Sequence, residues 1–243
     1  PPQDGNIMIH VIGGGGSGSG STSSAQLESG AAGGYCRKNS LAVTTSGTFT
    51  VIIGSGGVGT LGVVGAGTAG GTTSVSGTGL PAGTPLRAFG GAGGALNVNT
   101  YTTGGVATGG DVNYTGGRGG YRKGGGAVGL TGTGNDGFVG TDWGFTAGGG
   151  NCDILGDFYS STLGQLSGGL GGDGVQTTSS GIISIARGEP LAGSGSVYKT
   201  VNSMYSPDAT IGGGGGWAYG AGAANRCWSG RGGEGCVVIQ YIP

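Results

Sequence analysis

The side chains best suited to bind a ligand are aromatic, acidic and basic residues in short segments between glycine runs. The candidates are Tyr121, Arg122, Trp143, Phe145, Asp157, Phe158, Tyr159, Tyr219, Arg226 and Trp228. A sugar ring has an apolar face and a rim of hydroxyl groups, so its sites combine aromatic faces with a few polar groups. We expect a binding surface of this kind. The alternative is that the aromatics cover small local cores, and Trp217, directly after five glycines, fits that role best.

Catalysis has little support in the sequence. His10 is the only histidine and lies inside a strand-like segment, where a packing or surface role fits better than that of a general base. Asp136, Asp142, Asp153 and Asp157 are close in sequence, but the separation of a glycosidase acid pair cannot be read from sequence. Solvated loop acids are the default interpretation, with a calcium site as the alternative. We expect no enzyme activity, no metal and no cofactor.

The four cysteines, Cys36, Cys152, Cys227 and Cys236, include no CxxC pair and match no zinc or haem spacing. Cys36 and Cys236 lie in or beside strand-like segments, where a free cysteine behaves as a small buried hydrophobe. We therefore expect all four to be reduced, or at most one pair to be bridged.

Composition excludes several classes of protein. Of 243 residues, 69 are glycine and 7 are proline, but the glycines do not follow the strict three-residue register of collagen. Only 9% of residues are charged and three are tryptophan, which disfavours a disordered linker. The net charge of -1 gives no basic surface for nucleic acid. The longest apolar segments fall far short of the roughly 20 residues that cross a bilayer, so no membrane insertion is expected.

Short β-branched segments predict a small antiparallel sheet. The candidate strands are residues 7–12, 35–43, 48–53, 72–75 and 236–242. Ser46 and Gly47 form a turn signal between the second and third, which predicts a hairpin. The first and last segments are expected to pair and so close the sheet. Because glycine recurs every few residues and no apolar 3.6-residue period is present, almost no α-helix is expected.

The glycine runs predict a second kind of structure. They alternate with bulky inserts, among them residues 95–103, 135–146, 151–167, 173–211 and 217–228. Each glycine costs roughly 0.5 to 1 kcal/mol of chain entropy relative to alanine, so dense backbone hydrogen bonding must offset that cost. Extended helices with three residues per turn direct every backbone group outward to neighbours. We expect a bundle, or sandwich, of such polyglycine II helices with long loops.

The fold class expected is therefore mainly irregular and all-β, in one domain over residues 1–243. Residues 1–80 and 232–243 are predicted to form the strand frame. Residues 81–231 are predicted to hold the polyglycine II runs and their loops.

Several sequence elements together resemble a known phage module. They are residues 7–16, the Gly33-Gly34-Tyr35 segment, residues 48–57, residues 70–74 and residues 232–241. This succession resembles the glycine-rich C-terminal domain of bacteriophage tail fibres. The glycine runs and loops are also similar to the polyglycine II tip adhesins of T-even-type phages. Those adhesins carry an attachment domain before the glycine region, whereas this sequence begins with a strand, which favours a C-terminal fibre domain.

The resemblance implies a receptor-binding adhesin at the distal end of a virion tail fibre, assembled in the host cytoplasm. It implies a homotrimer and a host surface receptor, either a lipopolysaccharide glycan or an outer-membrane protein. The alternatives are a structural glycine-rich spacer or surface protein, and a non-phage adhesin without specific receptor binding.

Overall fold

A computed structural model describes residues 1–21, 28–60, 64–96, 100–120, 125, 132–134, 136, 209, 211–216 and 229–242, and the backbone of short strands between residues 159 and 228. These residues form strands and extended runs, and they include no helix. The mainly irregular and β fold expected from the sequence is confirmed.

Sixteen strands are found within the described residues. In chain order they are β1 (Gly5–Ile12), β2 (Gly20–Ser21), β3 (Tyr35–Val43), β4 (Phe49–Ile52), β5 (Thr73–Gly77), β6 (Leu86–Ala88), β7 (Ala107–Thr108), β8 (Val112–Tyr114), β9 (Tyr159–Ser160), β10 (Gly164–Gln165), β11 (Val175–Thr178), β12 (Gly181–Ile182), β13 (Ser203–Tyr205), β14 (Ala218–Tyr219), β15 (Arg226–Trp228) and β16 (Cys236–Ile242).

The first sheet is antiparallel and has the order β16-β1-β3-β8. Strand β1 pairs with β16 from Asn6 opposite Ile242 to Ile12 opposite Cys236, so the first and last strands do close one sheet as predicted. On its other side β1 pairs with β3, with a register shift between Ile7 and Ile9.

A second antiparallel sheet, of order β4-β5-β6-β7, packs against the first. The side chains between the sheets form one buried apolar core. Its members are Ile7, Ile9, Val11, Cys36, Leu41, Val43, Val75, Leu86 and Ala88. The described N-terminal half of the chain is thus anchored on a small β-sandwich.

The predicted hairpin between β3 and β4 is wrong. After Val43 the chain turns, with the Gly47 amide donating to the Thr44 carbonyl at 2.9 Å, and then crosses to the other sheet. There β4 pairs with β5, while β3 has β1 and β8 as its neighbours. A hairpin would have kept both strands in one layer, whereas the crossing gives the apolar face of the first sheet a second layer to pack on.

Beyond the sandwich, the glycine runs form a bundle of extended helices with three residues per turn. The N–H groups of the run 13–20 show the period, because every third one bonds to the same neighbouring run at 2.8 to 3.1 Å. Gly13, Gly16 and Ser19 donate to run 28–34, Gly14, Ser17 and Gly20 donate to run 64–71, and Gly15 and Gly18 donate to run 229–235. A helix with three residues per turn aims its groups in three directions in this way.

The same run accepts hydrogen bonds from three further neighbours. The amides of Gly91 and Gly94 in run 89–95 bond to it, as do Gly57 in run 54–60 and Gly215 in run 212–216. Run 13–20 is therefore surrounded by six others. Run 28–34 is enclosed similarly, since it also bonds to runs 102–106 and 115–120 and to Gly125. The polyglycine II bundle predicted from the sequence is present in the described residues.

The interior of this bundle leaves no room for side chains at most glycines. A Cβ atom placed on Gly13, Gly14, Gly15 or Gly16 would lie closer than 3.0 Å to backbone atoms of a neighbouring run. Backbone atoms thus occupy the place that side chains take in an ordinary core.

Strands and runs interleave along the chain. The runs begin at Gly13, inside the segment that the sequence assigned to the strand frame. Conversely, β6, β7 and β8 lie beyond residue 80 and belong to the two sheets. Apart from run 212–216, each run named above is continuous with a strand of the two sheets or separated from it by one residue, so the sheets set where these runs start or end.

Where the sandwich meets the bundle, His10 and Tyr35 are both buried and joined by a hydrogen bond of 2.8 Å between Nδ1 and the phenol oxygen. Tyr35 also stacks on Tyr114. Burial, with a smaller effect from the Arg37 charge, lowers the pKa of His10 to about 4, so the imidazole is neutral at pH 7. His10 therefore has the packing role expected from its place in a strand.

Candidate functional site

In the described part of the chain, some glycine runs lead away from the sandwich and later runs lead back to it. Runs 13–20, 54–60 and 89–95 lead away from the strands β1, β4 and β6. Runs 28–34, 64–71 and 102–106 lead back to β3, β5 and β7, and their hydrogen bonds to the outgoing runs are antiparallel. The connections 22–27, 61–63, 96–101, 121–124 and 217–228 are thus anchored at the end opposite the sandwich. This end is called the open end below.

A buried carboxylate fixes the base of two of these connections. Glu28, with 1% of its surface exposed, follows connection 22–27. Its Oε1 accepts hydrogen bonds from the backbone N–H and the hydroxyl of Thr100, at 2.8 and 3.0 Å. Its backbone N–H and carbonyl both bond to the Ser19 hydroxyl, at 3.0 and 2.9 Å. The ends of connections 22–27 and 96–101 are therefore held together by side chains.

Buried hydroxyl groups hold two more connections in place. Thr60, before connection 61–63, donates its backbone N–H to the Ser229 hydroxyl at 2.7 Å, and the two hydroxyls are 3.1 Å apart. Ser229 follows connection 217–228, so the two bases are joined. Closer to the sheets, the Ser17 hydroxyl donates to the Val58 carbonyl and accepts from the Thr68 amide, both at 2.8 Å. Serine and threonine thus supply hydrogen bonds where neighbouring runs diverge.

An exposed cluster of Tyr101, Arg118 and Asp136 lies in the same part of the bundle. The Arg118 guanidinium lies over the Tyr101 ring, 4.4 Å from its centroid. Its Nε and Nη2 donate to Asp136 Oδ2 at 2.8 and 2.6 Å, and the Arg118 amide donates to Oδ1. Partial burial raises the pKa of Asp136, but the hydrogen bonds and charge of Arg118 outweigh it and lower the pKa overall. The cluster ties residues 132–136 to run 115–120.

No sequence signal pointed to this cluster. Arg118 stands inside a glycine run, and Asp136 follows it by 18 residues with no common pattern. Tyr101 belongs to an insert but is not among the predicted binding residues. The contact arises from how two runs meet in space, as the isolated bridge between Thr102 and Gly119 shows.

Three of the predicted binding residues have backbones at the open end. Tyr219, in β14, pairs with Ser21 of β2, which ends the central run 13–20. Arg226 and Trp228 lie in β15, which leads directly into Ser229 and pairs in parallel with β13. The structure thus brings these three candidates to the end where the connections are anchored.

The other predicted binding residues are not brought to this end by any described contact. Tyr159 lies in β9, opposite Gln165 of β10. The remaining candidates and the proposed capping residue lie outside the described residues. They are Tyr121, Arg122, Trp143, Phe145, Asp157, Phe158 and Trp217.

Two of the cysteines have described side chains, and both are free thiols. Burial raises the pKa of Cys36 to about 12 and also raises that of Cys236. The side chains of Cys152 and Cys227 lie outside the described part of the chain. Within that part, no group of three or more His, Cys, Asp or Glu residues could hold a metal ion. The same residues contain no helix long and apolar enough to cross a membrane.

In architecture, the described residues form a β-sandwich extended by a backbone-packed glycine bundle. The chain belongs to the glycine-rich domain family, whose sequence model matches residues 1–242. No curated protein matches the chain significantly.

Proposed function

We propose that the chain is the receptor-binding tip domain of a bacteriophage tail fibre, which attaches the virion to its host through the connections at the open end. The observation that supports this most strongly is the one-sided arrangement. The described runs that flank five connections end at one end of the bundle, and the sandwich lies at the other. Binding residues commonly lie on loops that a rigid scaffold positions.

The bundle suits this role because most of the described hydrogen bonds that hold it join backbone groups of the runs rather than residues of the connections. Run 13–20 is held by backbone groups of six neighbours, and the bases of the connections are fixed by Ser19, Glu28, Thr60 and Ser229. Connections of different sequence can therefore be carried on one scaffold. The receptor on a host can change, so a receptor-binding protein benefits when the residues that bind the receptor can vary without destabilising the scaffold.

The chemistry at the open end fits a surface glycan or an outer-membrane protein. Tyr219, Arg226 and Trp228, whose backbone lies at that end, are two aromatic residues and an arginine. Aromatic and arginine residues are the types most enriched among dominant binding contacts. We place the protein at the distal end of the fibre in the virion, where this end can reach the host surface.

The test is competition with phage adsorption by the purified chain. A short glycine-serine segment inserted into connection 61–63 should abolish the competition, because it obstructs the open end. The same segment inserted into the turn at residues 44–47, at the sandwich end, is the matched control and should leave it intact. Equal competition by both variants would contradict the proposal.

A second measurement distinguishes a residue that binds the receptor from one that stabilises the fold. Trp228→Ala should reduce competition while leaving the urea midpoint unchanged, because truncating an exposed anchor can remove 2 kcal/mol or more of binding but only about 0.5 kcal/mol of stability. Loss of stability with full competition would assign Trp228 to a local core instead. A fall in the viscosity of host polysaccharide on adding the chain would indicate a depolymerase rather than an adhesin.

A further inference from the structure

One lateral edge of the sandwich consists of the strands β4 and β16. They are the outer strands of the two sheets, and they lie on the same side because the Gly235 amide bonds to the Gly54 carbonyl at 2.8 Å. Within the described part of the chain, β4 pairs only with β5 and β16 only with β1. Alternate residues of an edge strand direct their N–H and C=O groups away from the sheet. Both strands can therefore accept a further strand.

Five apolar side chains line the gap between β4 and β16. They face inward, because each lies opposite a core residue of the neighbouring strand or packs on the core itself. They are Phe49 and Val51 of β4 and Val237, Ile239 and Tyr241 of β16. Residues two apart on a strand share one face of the sheet, so each strand contributes a single row. We call the surface formed by these two rows the edge slot.

The middle of the edge slot is open. Ile239 has 43% and Val51 has 42% of its surface exposed, although the residues opposite them, Ile9 and Val75, are fully buried. Side chains on the inner faces of a sandwich normally interdigitate and exclude water. Among the described residues, nothing covers the core between these two edge strands.

The opposite edge of the sandwich is protected. Its strands β7 and β8 have only two and three residues, and Asp111 beside β8 forms an ion pair with Lys38 at 2.6 Å. Short strands and charged side chains hinder the addition of another strand. Strands β4 and β16 have four and seven residues and contain no Lys, Arg, Asp, Glu or Pro. The edge that carries the slot is thus the one suited to strand addition.

We propose that the edge slot binds an extended strand of a partner protein, which pairs with β16 and inserts alternate apolar side chains between the sheets. The outward backbone groups of β16 favour a strand as the occupant, because a strand can bond to them along its whole length. The two inward rows favour a segment with an apolar residue at every second position. The uncharged edge favours an uncharged segment, and the length of β16 suits about seven residues. This inference goes beyond the proposed receptor function and does not depend on it.

The probe is a fluorescently labelled synthetic peptide with the sequence of residues 5–12. In the chain this segment is β1, which pairs with the inner side of β16 and directs Ile7, Ile9 and Val11 into the core. The peptide should pair with the outer side of β16 and bind the intact chain with a dissociation constant below about 100 µM, measured by fluorescence anisotropy. The same peptide with Ile9→Pro should bind at least about tenfold more weakly, because proline removes an N–H group from the strand.

Two variants of the chain test whether the edge slot is the binding site. Ile239→Lys places a charge in the slot, and Gln240→Lys, the matched control, places the same charge on the other face of β16. Both side chains are exposed, so the fold should tolerate either change. Ile239→Lys should weaken peptide binding at least about tenfold, and Gln240→Lys by less than about twofold.

Equal urea midpoints for the two variants establish that both are folded. If Ile239→Lys is destabilised, Val51→Lys takes its place, with Thr50→Lys on the other face of β4 as its control. No binding of the peptide to the intact chain would overturn the proposal, as would equal weakening by the slot variant and its control. Self-association of the intact chain that the slot variant prevents would assign the slot to a second copy and would also overturn it. The adsorption competition tests the receptor function separately.

Discussion

Replacing Gly15 by alanine should destabilise the protein strongly, although it adds only a methyl group. Gly15 lies in the central run, and a Cβ atom there would overlap the Gly213 carbonyl and approach the Gly214 amide. Both neighbouring atoms belong to backbone, which cannot rotate out of the way as a side chain can. The backbone at Gly15 is not in a left-handed conformation, so the effect isolates steric overlap.

The expected loss of stability can be estimated from the hydrogen bonds that the added methyl group would strain. Moving run 212–216 outward would strain the bonds from Gly215 to Gly16, Gly30 to Gly215 and Gly33 to Gly212, which are 2.8 to 2.9 Å long. Three such bonds contribute about 3 kcal/mol, and overpacking adds about 1 to 3 kcal/mol. The reduced entropy of the unfolded chain offsets about 0.4 to 1 kcal/mol. The net loss in the free energy of unfolding should be about 3 to 6 kcal/mol, a large part of a typical domain stability.

Gly65→Ala is the matched control for this experiment. Among the described residues, a Cβ at Gly65 would meet only the Thr60 methyl group, at an ordinary 3.5 Å, so this variant should be neutral or more stable by up to about 1 kcal/mol. Urea unfolding followed by tryptophan fluorescence measures the free energy of unfolding of both variants. A Gly15→Ala protein as stable as Gly65→Ala would refute the backbone-packed interior.

Three further predictions concern buried polar groups. Because the pKa of His10 is lowered from 6.5 to about 4, the unfolded chain takes up its proton first, and stability should fall by about 3 kcal/mol as the pH drops from 6.5 to 4. Urea titrations at several pH values should show this slope, and His10→Gln should remove it. Cys36 should resist iodoacetamide in the native protein while Cys236 reacts faster, because Cys36 is fully buried. Peptide mass mapping measures both reactions, and faster alkylation of Cys36 would show that the core is open at that residue. Glu28→Ala should lower the free energy of unfolding by about 1 to 3 kcal/mol. Glu28→Gln should lower it by less, because the amide oxygen still accepts a hydrogen bond from Thr100. Equal urea midpoints for the two variants would contradict this.

The elements of this fold were predictable where side chains carry a pattern. Strands β1, β5 and β16 follow from β-branched segments, and the pairing of β1 with β16 was expected from their place at the two ends of the chain. The bundle follows from glycine itself, because runs without side chains can be stabilised only by close backbone contacts.

The partners of each run could not be predicted. In a glycine run, all three sides of the threefold helix present the same backbone groups and no side chains. Nothing in the sequence of the run therefore selects one neighbouring run over another. Selection comes from the strands that deliver each run and from a few hydroxyls such as those of Ser17 and Ser19. The β3–β4 hairpin failed for a related reason, because a turn signal does not reveal whether the next strand stays in its sheet.

The candidate site was predictable only in part. Tyr219, Arg226 and Trp228 were sought beside glycine runs, and their backbone lies at the open end. That they bind a receptor stays a prediction. The Tyr101–Arg118–Asp136 cluster depends on the meeting of distant segments and leaves no pattern in the sequence.

The threefold period of the runs restricts how the gene can lengthen or shorten. One residue added within run 13–20 would rotate all following N–H groups by a third of a turn and direct them at the wrong neighbours. Only an insertion of three residues, or nine nucleotides, directs the following N–H groups at their original neighbours again. A change of length in a connection leaves the phase within the runs on either side unaltered, so it is not restricted in this way. Insertions and deletions should therefore accumulate in the connections and occur in steps of three within the runs.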